Sequence, residues 1–174
     1  MAELQRAYVG LGSNLGDSWA ELQAALMALR ALPDTHYEGC SEVYRSAPCE
    51  VDPQPDFLNA VCRVRTALGP ERLLERLLDI ERGRGRQRLR VGAPRTLDLD
   101  LLIYGGLCRT EPGLTLPHPR MHLRAFVLRP LADLDPALVI PGRGVVLQLL
   151  QECLGQRLEW AGSLPQPVRE ACTP

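Results

Sequence analysis

Asp98 and Asp100 stand two positions apart in the apolar stretch Pro94–Gly105, PRTLDLDLLIYG. In an extended chain, side chains at i and i+2 share a face with Cα atoms roughly 6.5 Å apart. The two carboxylates therefore point together, while Leu97, Leu99 and Leu101 take the opposite side. Neighbouring carboxylates on so apolar a strand repel each other unless a cation sits between them. Magnesium suits such a pair, because it favours carboxylate oxygens and completes its shell with water and phosphate oxygens. The other reading is a half-buried strand whose acids simply face solvent. Residue types alone leave both open.

Directly before the acids lies ERGRGRQRLRVGAPR, with six arginines between Arg82 and Arg95. Guanidinium forks match phosphate oxygens, and the interleaved glycines leave the segment free to close over a ligand. A solvated basic loop and a single-stranded nucleic-acid contact are the alternatives. Position favours a small polyphosphate, which needs both cationic side chains and a metal.

Two other motifs point away from familiar sites. GLGSNLG, Gly10–Gly16, has Leu15 where a dinucleotide fingerprint needs its third glycine, so it reads as a tight strand-to-helix turn whose backbone could approach a ligand. His118 and His122 have the spacing of helical zinc ligands, but no Glu follows His118 and Pro119 opposes a helix through both.

Composition bounds the rest. At 174 residues, with 45% apolar residues and a net charge of −1, the chain is an ordinary globular one without a global pull toward nucleic acid or anionic membrane. All 20 basic residues are arginine, which excludes a Walker-type phosphate loop, since that loop requires lysine. The six cysteines show no C-x-x-C pair, so reduced thiols are expected rather than a zinc ribbon or a disulfide framework. No secretory or membrane-spanning segment is evident, and a cytoplasmic monomer without nucleic-acid or membrane partners is the expectation.

The elements that would position these residues follow from periodicity. Arg6–Gly12 reads as a strand, and Ser18–Leu32 as a helix capped by Asp17 or Ser18 and closed by Pro33. His36–Ala47 reads as a second strand. The proline-rich loop APCEVDPQPD leads to Phe57–Leu68, which alternates like a half-exposed strand. Pro70 opens a second helix with Leu73, Leu74, Leu77, Leu78 and Glu81 in register, the connector Arg82–Arg95 and then the acid-bearing strand come next, and helices are expected from Ala125 to Leu134 and from Val145 to Leu154. Residues 1–162 form one expected catalytic domain, with 163–174 a loosely attached tail. The order β-α-β-β-α-β-α matches an α+β, ferredoxin-like plan: an antiparallel sheet flanked by helices.

Five segments in fixed order, YVGLGSNLGD, YRSAP with PQPDFLNAV, GRGRQR, PRTLDLDLLIYG and LTLPHPRMHLRAFVLRPL, resemble one family closely. It is the 6-hydroxymethyl-7,8-dihydropterin pyrophosphokinases of folate biosynthesis, which transfer diphosphate from ATP to a pterin alcohol. The resemblance implies the same ferredoxin-like fold. It also implies two Mg²⁺ held by Asp98 and Asp100, with Arg86 and Arg88 of the arginine loop acting in catalysis. Glu81, Arg86, Arg88, Arg95, Thr115, His118 and Arg124 match the family's ATP-binding positions. Ser46, Ala47, Cys49, Phe57, Asn59 and Phe126 match its pterin-binding positions, with the two phenylalanines as walls and Asn59 reading the polar edge of the ring. Two departures stand out: the segment Val91–Pro94 is a residue shorter than usual, and Pro119 replaces an aromatic residue after the histidine.

Two competing classes are an RNA-binding module on an exposed sheet and a family member retained only as a scaffold. The first lacks stacking aromatics on its candidate strand, Ala60–Leu68. The intact Asp98, Asp100 and Asn59 argue against the second.

Overall fold

The computed structural model of the chain describes residues 3–49, 53–85 and 93–165. In chain order the elements are β1 (Gln5–Ser13), α1 (Ser18–Arg30), β2 (Thr35–Cys40), β3 (Glu42–Ser46), β4 (Phe57–Thr66), α2 (Pro70–Gly83) and β5 (Asp98–Tyr104). There follow β6 (Arg109–Glu111), β7 (Leu114–Leu116), a 3-10 turn at Met121–Leu123, α3 (Ala125–Leu134), β8 (Val139–Ile140), β9 (Gly144–Val145), α4 (Val146–Glu152) and β10 (Leu158–Ser163). The main sheet among the described residues has the order β10-β3-β4-β1-β5, with β2 also paired to β4, and each of its pairings is antiparallel. This is the expected α+β, ferredoxin-like architecture.

Alternation along the strands divides the core in two. Ala7, Val9 and Leu11 of β1, Leu58, Ala60, Cys62 and Val64 of β4, and Leu99 and Leu101 of β5 pack under Leu22, Leu26 and Leu29 of α1 and Leu73 and Leu77 of α2. The other face carries Tyr8, Val61, Leu102 and Ile103 against Val127, Leu128 and Leu131 of α3 and Val146 and Leu149 of α4. Each such fully buried leucine contributes about 1.5–3 kcal/mol. The α1 N-terminus is secured as expected, with Asp17 Oδ1 accepting from Ala20 N–H at 3.0 Å.

One irregularity breaks the alternation. Val9 pairs with Leu101 but Tyr8 pairs with Ile103, so Leu102 is an extra residue in β5. Leu102 and Ile103 consequently both face the α3 side, the effect of a β-bulge.

Three expectations are revised. The strand expected over His36–Ala47 is broken at Ser41, whose Oγ, in place of its carbonyl, accepts Val61 N–H at 2.9 Å. β4 is central rather than half-exposed: α3 covers the face expected to meet solvent, and Arg63 satisfies its guanidinium on the Leu134 carbonyl at 3.1 Å and near Glu38. That face therefore offers no open platform for bases. Ser163, assigned to a loose tail, closes β10, and Leu164 beyond it is buried in the core; β10 pairs with β3 through an alternation too short to signal a strand. No helix among the described residues is long and apolar enough to cross a membrane.

Candidate active site

The face of the sheet that meets α3 opens, beyond Tyr8 and Leu102, into a cavity of about 320 Å³. Its floor is β1, β4 and β5, where Gly10, Gly12, Asn59, Asp98 and Asp100 all point the same way. β3 and the loop after it supply Ser46, Ala47 and Cys49, while the far wall holds His118, Arg120, Arg124 and Phe126. Eleven of the fifteen expected site residues thus line one cavity: Ser46, Ala47, Cys49, Phe57, Asn59, Arg95, Asp98, Asp100, His118, Arg124 and Phe126. Arg86 and Arg88, with neighbouring Arg90, lie outside the described residues. Glu81 and Thr115 are described but do not line the cavity.

The acid pair is positioned from both sides of its strand. Among the described residues β5 ends the sheet order, which leaves one row of its backbone groups without a strand partner there. Glu81, reaching from α2, accepts the Leu99 N–H with Oε1 at 2.7 Å. This buried carboxylate therefore holds the residue between the two aspartates. Arg95 Nη1 lies 2.5 Å from Asp98 Oδ2. Burial, with the adjacent Asp98 charge, pushes Asp100 up to about 7, against the opposing pull of Arg124.

Two convergent carboxylates, one of them reluctant to ionise, are the donor set a hard divalent cation requires. Among the described residues no group of three or more His, Cys, Asp or Glu side chains could hold a metal ion. The pair therefore fits magnesium that takes its other ligands from water and phosphate rather than from a closed protein cage. Because a cation must displace the Asp100 proton at low pH, apparent Mg²⁺ affinity is expected to weaken up to about tenfold per pH unit below 7 and to level off above it. Titrating Mg²⁺ or Mn²⁺ between pH 5.5 and 8.5 checks this.

The opposite wall differs in charge. His118 is held low, at about 4, by burial and by the charges of Arg124 and Arg120. In the ligand-free protein, therefore, the cationic character of this wall belongs to the arginines. His118 N–H donates to the Leu102 carbonyl at 2.8 Å, fixing this loop over the bulge in β5. The Arg124 guanidinium lies over the Phe126 ring, 5.5 Å from its centre.

Asn59 is buried and oriented by neighbours: its Nδ2 donates to Ser46 Oγ at 2.9 Å and to the Tyr44 carbonyl at 3.3 Å. Its Oδ1 faces Gly12. A Cβ built on Gly12 would meet Asn59 Oδ1 at 3.6 Å, Phe57 Cδ1 at 3.9 Å and the Asp98 Cβ at 4.0 Å. These are ordinary contacts, so alanine fits the fold while occupying cavity space between the amide and the acid pair. Gly12→Ala is expected to weaken binding of a ligand seated between Asn59 and the acid pair about tenfold with an unchanged melting temperature, read by ligand titration and thermal unfolding.

Sequence reasoning missed Asn14 as a positioning residue. It is buried at the end of GLGSN, where Nδ2 donates to Gln54 Oε1 at 2.9 Å and to the Pro55 carbonyl at 3.0 Å. Its Oδ1 accepts Arg95 N–H at 2.9 Å, and its own N–H donates to the Arg95 carbonyl at 3.1 Å. One amide thus ties the turn after β1 to the segments that enter β4 and β5. A polar residue in a glycine-rich turn was the available signal, and turn chemistry masked it. Arg120 and Gly10 also line the cavity without having been singled out individually.

A ferredoxin-like sheet that sets a carboxylate pair, arginines and aromatic rings around one cavity has the parts that an enzyme of the phosphotransferase class needs. Comparison with known proteins narrows this. The family model for 7,8-dihydro-6-hydroxymethylpterin-pyrophosphokinase matches residues 8–136, and the chain belongs to that family. It is 42% identical over 146 residues to the 2-amino-4-hydroxy-6-hydroxymethyldihydropteridine pyrophosphokinase of Haemophilus influenzae, covering 84% of this chain and 91% of that protein. With the protein of the same name from Pseudomonas aeruginosa it shares 44% identity over 156 residues, covering 90% and 96%. The fold is similar to that of Plasmodium falciparum HPPK-DHPS, with a TM-score of 0.71 at 14% identity. That match covers 88% of this chain and 44% of the Plasmodium one, so the chain spans less than half of it.

Proposed function

We propose that this chain transfers the diphosphate of ATP to the hydroxymethyl group of 6-hydroxymethyl-7,8-dihydropterin, releasing AMP, through the cavity bounded by β1, β4, β5 and α3. The observation that carries this reading is the convergence of Asp98 and Asp100 with Asn59, Phe57 and Phe126 on one 320 Å³ space. A flat heteroaromatic ring suits aromatic walls and an oriented amide at its polar edge, and the hydroxymethyl arm then extends toward the acid pair. Ser46 orients the amide, and Ala47 and Cys49 shape the rim.

Asp98 and Asp100 would hold two Mg²⁺, which when bound neutralise phosphate charge and orient the triphosphate. Arg95 and Arg124 bind phosphate oxygens, and His118 donates a neutral hydrogen bond. Arg86 and Arg88, outside the described residues, are assigned by resemblance to the charge on the transferring group. Glu81 acts through the backbone of β5, and Thr115 on β7 serves the nucleotide from outside this cavity. The pterin oxygen attacks the β-phosphorus, the bond to the α-phosphate oxygen breaks, and the hydroxyl proton passes to solvent. Positioning and electrostatics supply the rate, and no strong general base is required.

The enzyme acts on these small molecules as a cytoplasmic monomer, with one catalytic body that runs through β10 to the buried Leu164 and without nucleic-acid or membrane partners. Incubation with MgATP and the pterin alcohol is the test. Stoichiometric AMP and pterin diphosphate support the reading. ADP as product, or no pterin-dependent turnover, overturns it.

A further inference from the structure

On the sheet face away from the cavity, β2 and β4 bring two cysteines together. Cys40 and Cys62 are direct cross-strand partners. One step further along, Ser41 N–H donates to the Val61 carbonyl at 2.9 Å. In an antiparallel ladder, hydrogen-bonded and non-hydrogen-bonded pairs alternate, so Cys40 and Cys62 occupy a non-hydrogen-bonded position. There the Cα atoms lie about 4.5 Å apart with side chains close, inside the 4.4–6.8 Å range that a disulfide spans. Both side chains belong to the same core face, Cys62 fully buried and Cys40 partly exposed. The two thiols share a hydrogen bond, which together with burial pushes the Cys62 thiol upward.

We infer that Cys40 and Cys62 form a redox-active dithiol that low-molecular-weight disulfides convert to a cross-strand disulfide. The partly exposed Cys40, as thiolate, attacks a small disulfide RSSR, forming a mixed disulfide and releasing RS⁻. Cys62 then gives up its proton, attacks the Cys40 sulfur and expels the second RS⁻. Two protein thiols are oxidised, one RSSR is reduced to two RSH, and the Cys62 and Cys40 protons end on the released thiols. The other described cysteines have different settings: Cys49 and Cys108 are exposed, and Cys153 lies in the core on the opposite face.

The bond would close a covalent ring from Cys40 to Cys62, and that ring contains Ser46, Ala47, Cys49, Phe57 and Asn59. Neither sulfur enters the cavity, so oxidation would restrain the pocket wall without replacing any group in it. By removing freedom from the unfolded chain, the ring should also raise thermal stability.

The test uses reduced full-length protein incubated with glutathione disulfide, followed by peptide mapping and thermal unfolding. A Cys40–Cys62 cross-linked peptide is expected, with a melting temperature raised by roughly 5 °C and restored by dithiothreitol. Cys40→Ser should lose both the cross-link and the rise. A glutathione adduct persisting on Cys40 while Cys62 remains alkylatable after unfolding overturns the inference. So does a cross-link between other cysteines, or two thiols left unreacted.

Discussion

Replacing Asp100 with asparagine is expected to lower turnover by at least about 10³-fold while leaving the fold intact. The lost stabilisation of transition-state charge corresponds to several kcal/mol, and each 1.36 kcal/mol is about a decade in rate. The substitution keeps the volume of the side chain, removes its charge and replaces one acceptor oxygen with a donor NH2. Its effect on stability should run the other way. Wild-type Asp100 titrates near 7 in the folded protein against an ordinary 3.8. Stability it supplies below about pH 4 is therefore lost as pH rises through about 7. Asparagine does not ionise, so the metal-free variant should melt above wild type at pH 8, with the gap closing toward pH 4. Asp98→Ala should abolish turnover as well, but it frees Arg95 from its 2.5 Å partner and so carries a structural cost. Near-normal kcat in either variant would remove the acid pair from the mechanism. Steady-state AMP production and metal-free melting across pH 4–8 decide both points.

Asn59→Ala is expected to cut kcat/KM for the pterin about 10²-fold, mainly through KM, with KM for ATP within a factor of two. The wild-type amide is held by Ser46 Oγ and the Tyr44 carbonyl, so its orientation is fixed before a ligand arrives. Removing it leaves a polar edge of the ring buried without a partner, which costs about 1–3 kcal/mol. It also deprives Ser46 Oγ of a donor, at a cost to stability of about 1 kcal/mol. Because Asn59 sits across Gly12 from Asp98, a merely structural collapse would disturb both substrates. An equal rise in the two KM values would thus argue for a scaffold role. Ser46→Ala should reproduce a milder, pterin-selective version of the defect.

The acid pair was legible because strand geometry makes i and i+2 neighbours, and it lies on the cavity face opposite Leu99 and Leu101 as that rule requires. The helices were legible through their apolar stripes, and the order of the elements led to the right architecture. Less visible were features that depend on long-range partners. β4 looked half-exposed because Arg63 and Arg65 alternate with apolar residues, yet Arg63 is absorbed by a carbonyl at the end of α3. The break at Ser41 depends on a hydroxyl replacing a backbone acceptor, which no periodicity records. Glu81 stands among the ATP-binding positions by resemblance alone, and the bond its carboxylate makes to the Leu99 N–H depends on a partner 18 residues away that no local pattern shows. Asn14 joins segments some 40 and 80 residues away in sequence, a reach that local patterns do not encode.

The extra residue at Leu102 works as a slip joint. Upstream of it, the phase of the acids is locked by the pairing of Leu99 and Leu101 with β1; downstream, Ile103 and Tyr104 follow a phase of their own. The half of the strand that bears the acids and the half that ends in Tyr104 thereby keep separate alternations against β1. One inserted residue thus sets which side chains of β5 meet the cavity face, and the aspartates keep their aim whatever phase the strand follows beyond Leu102.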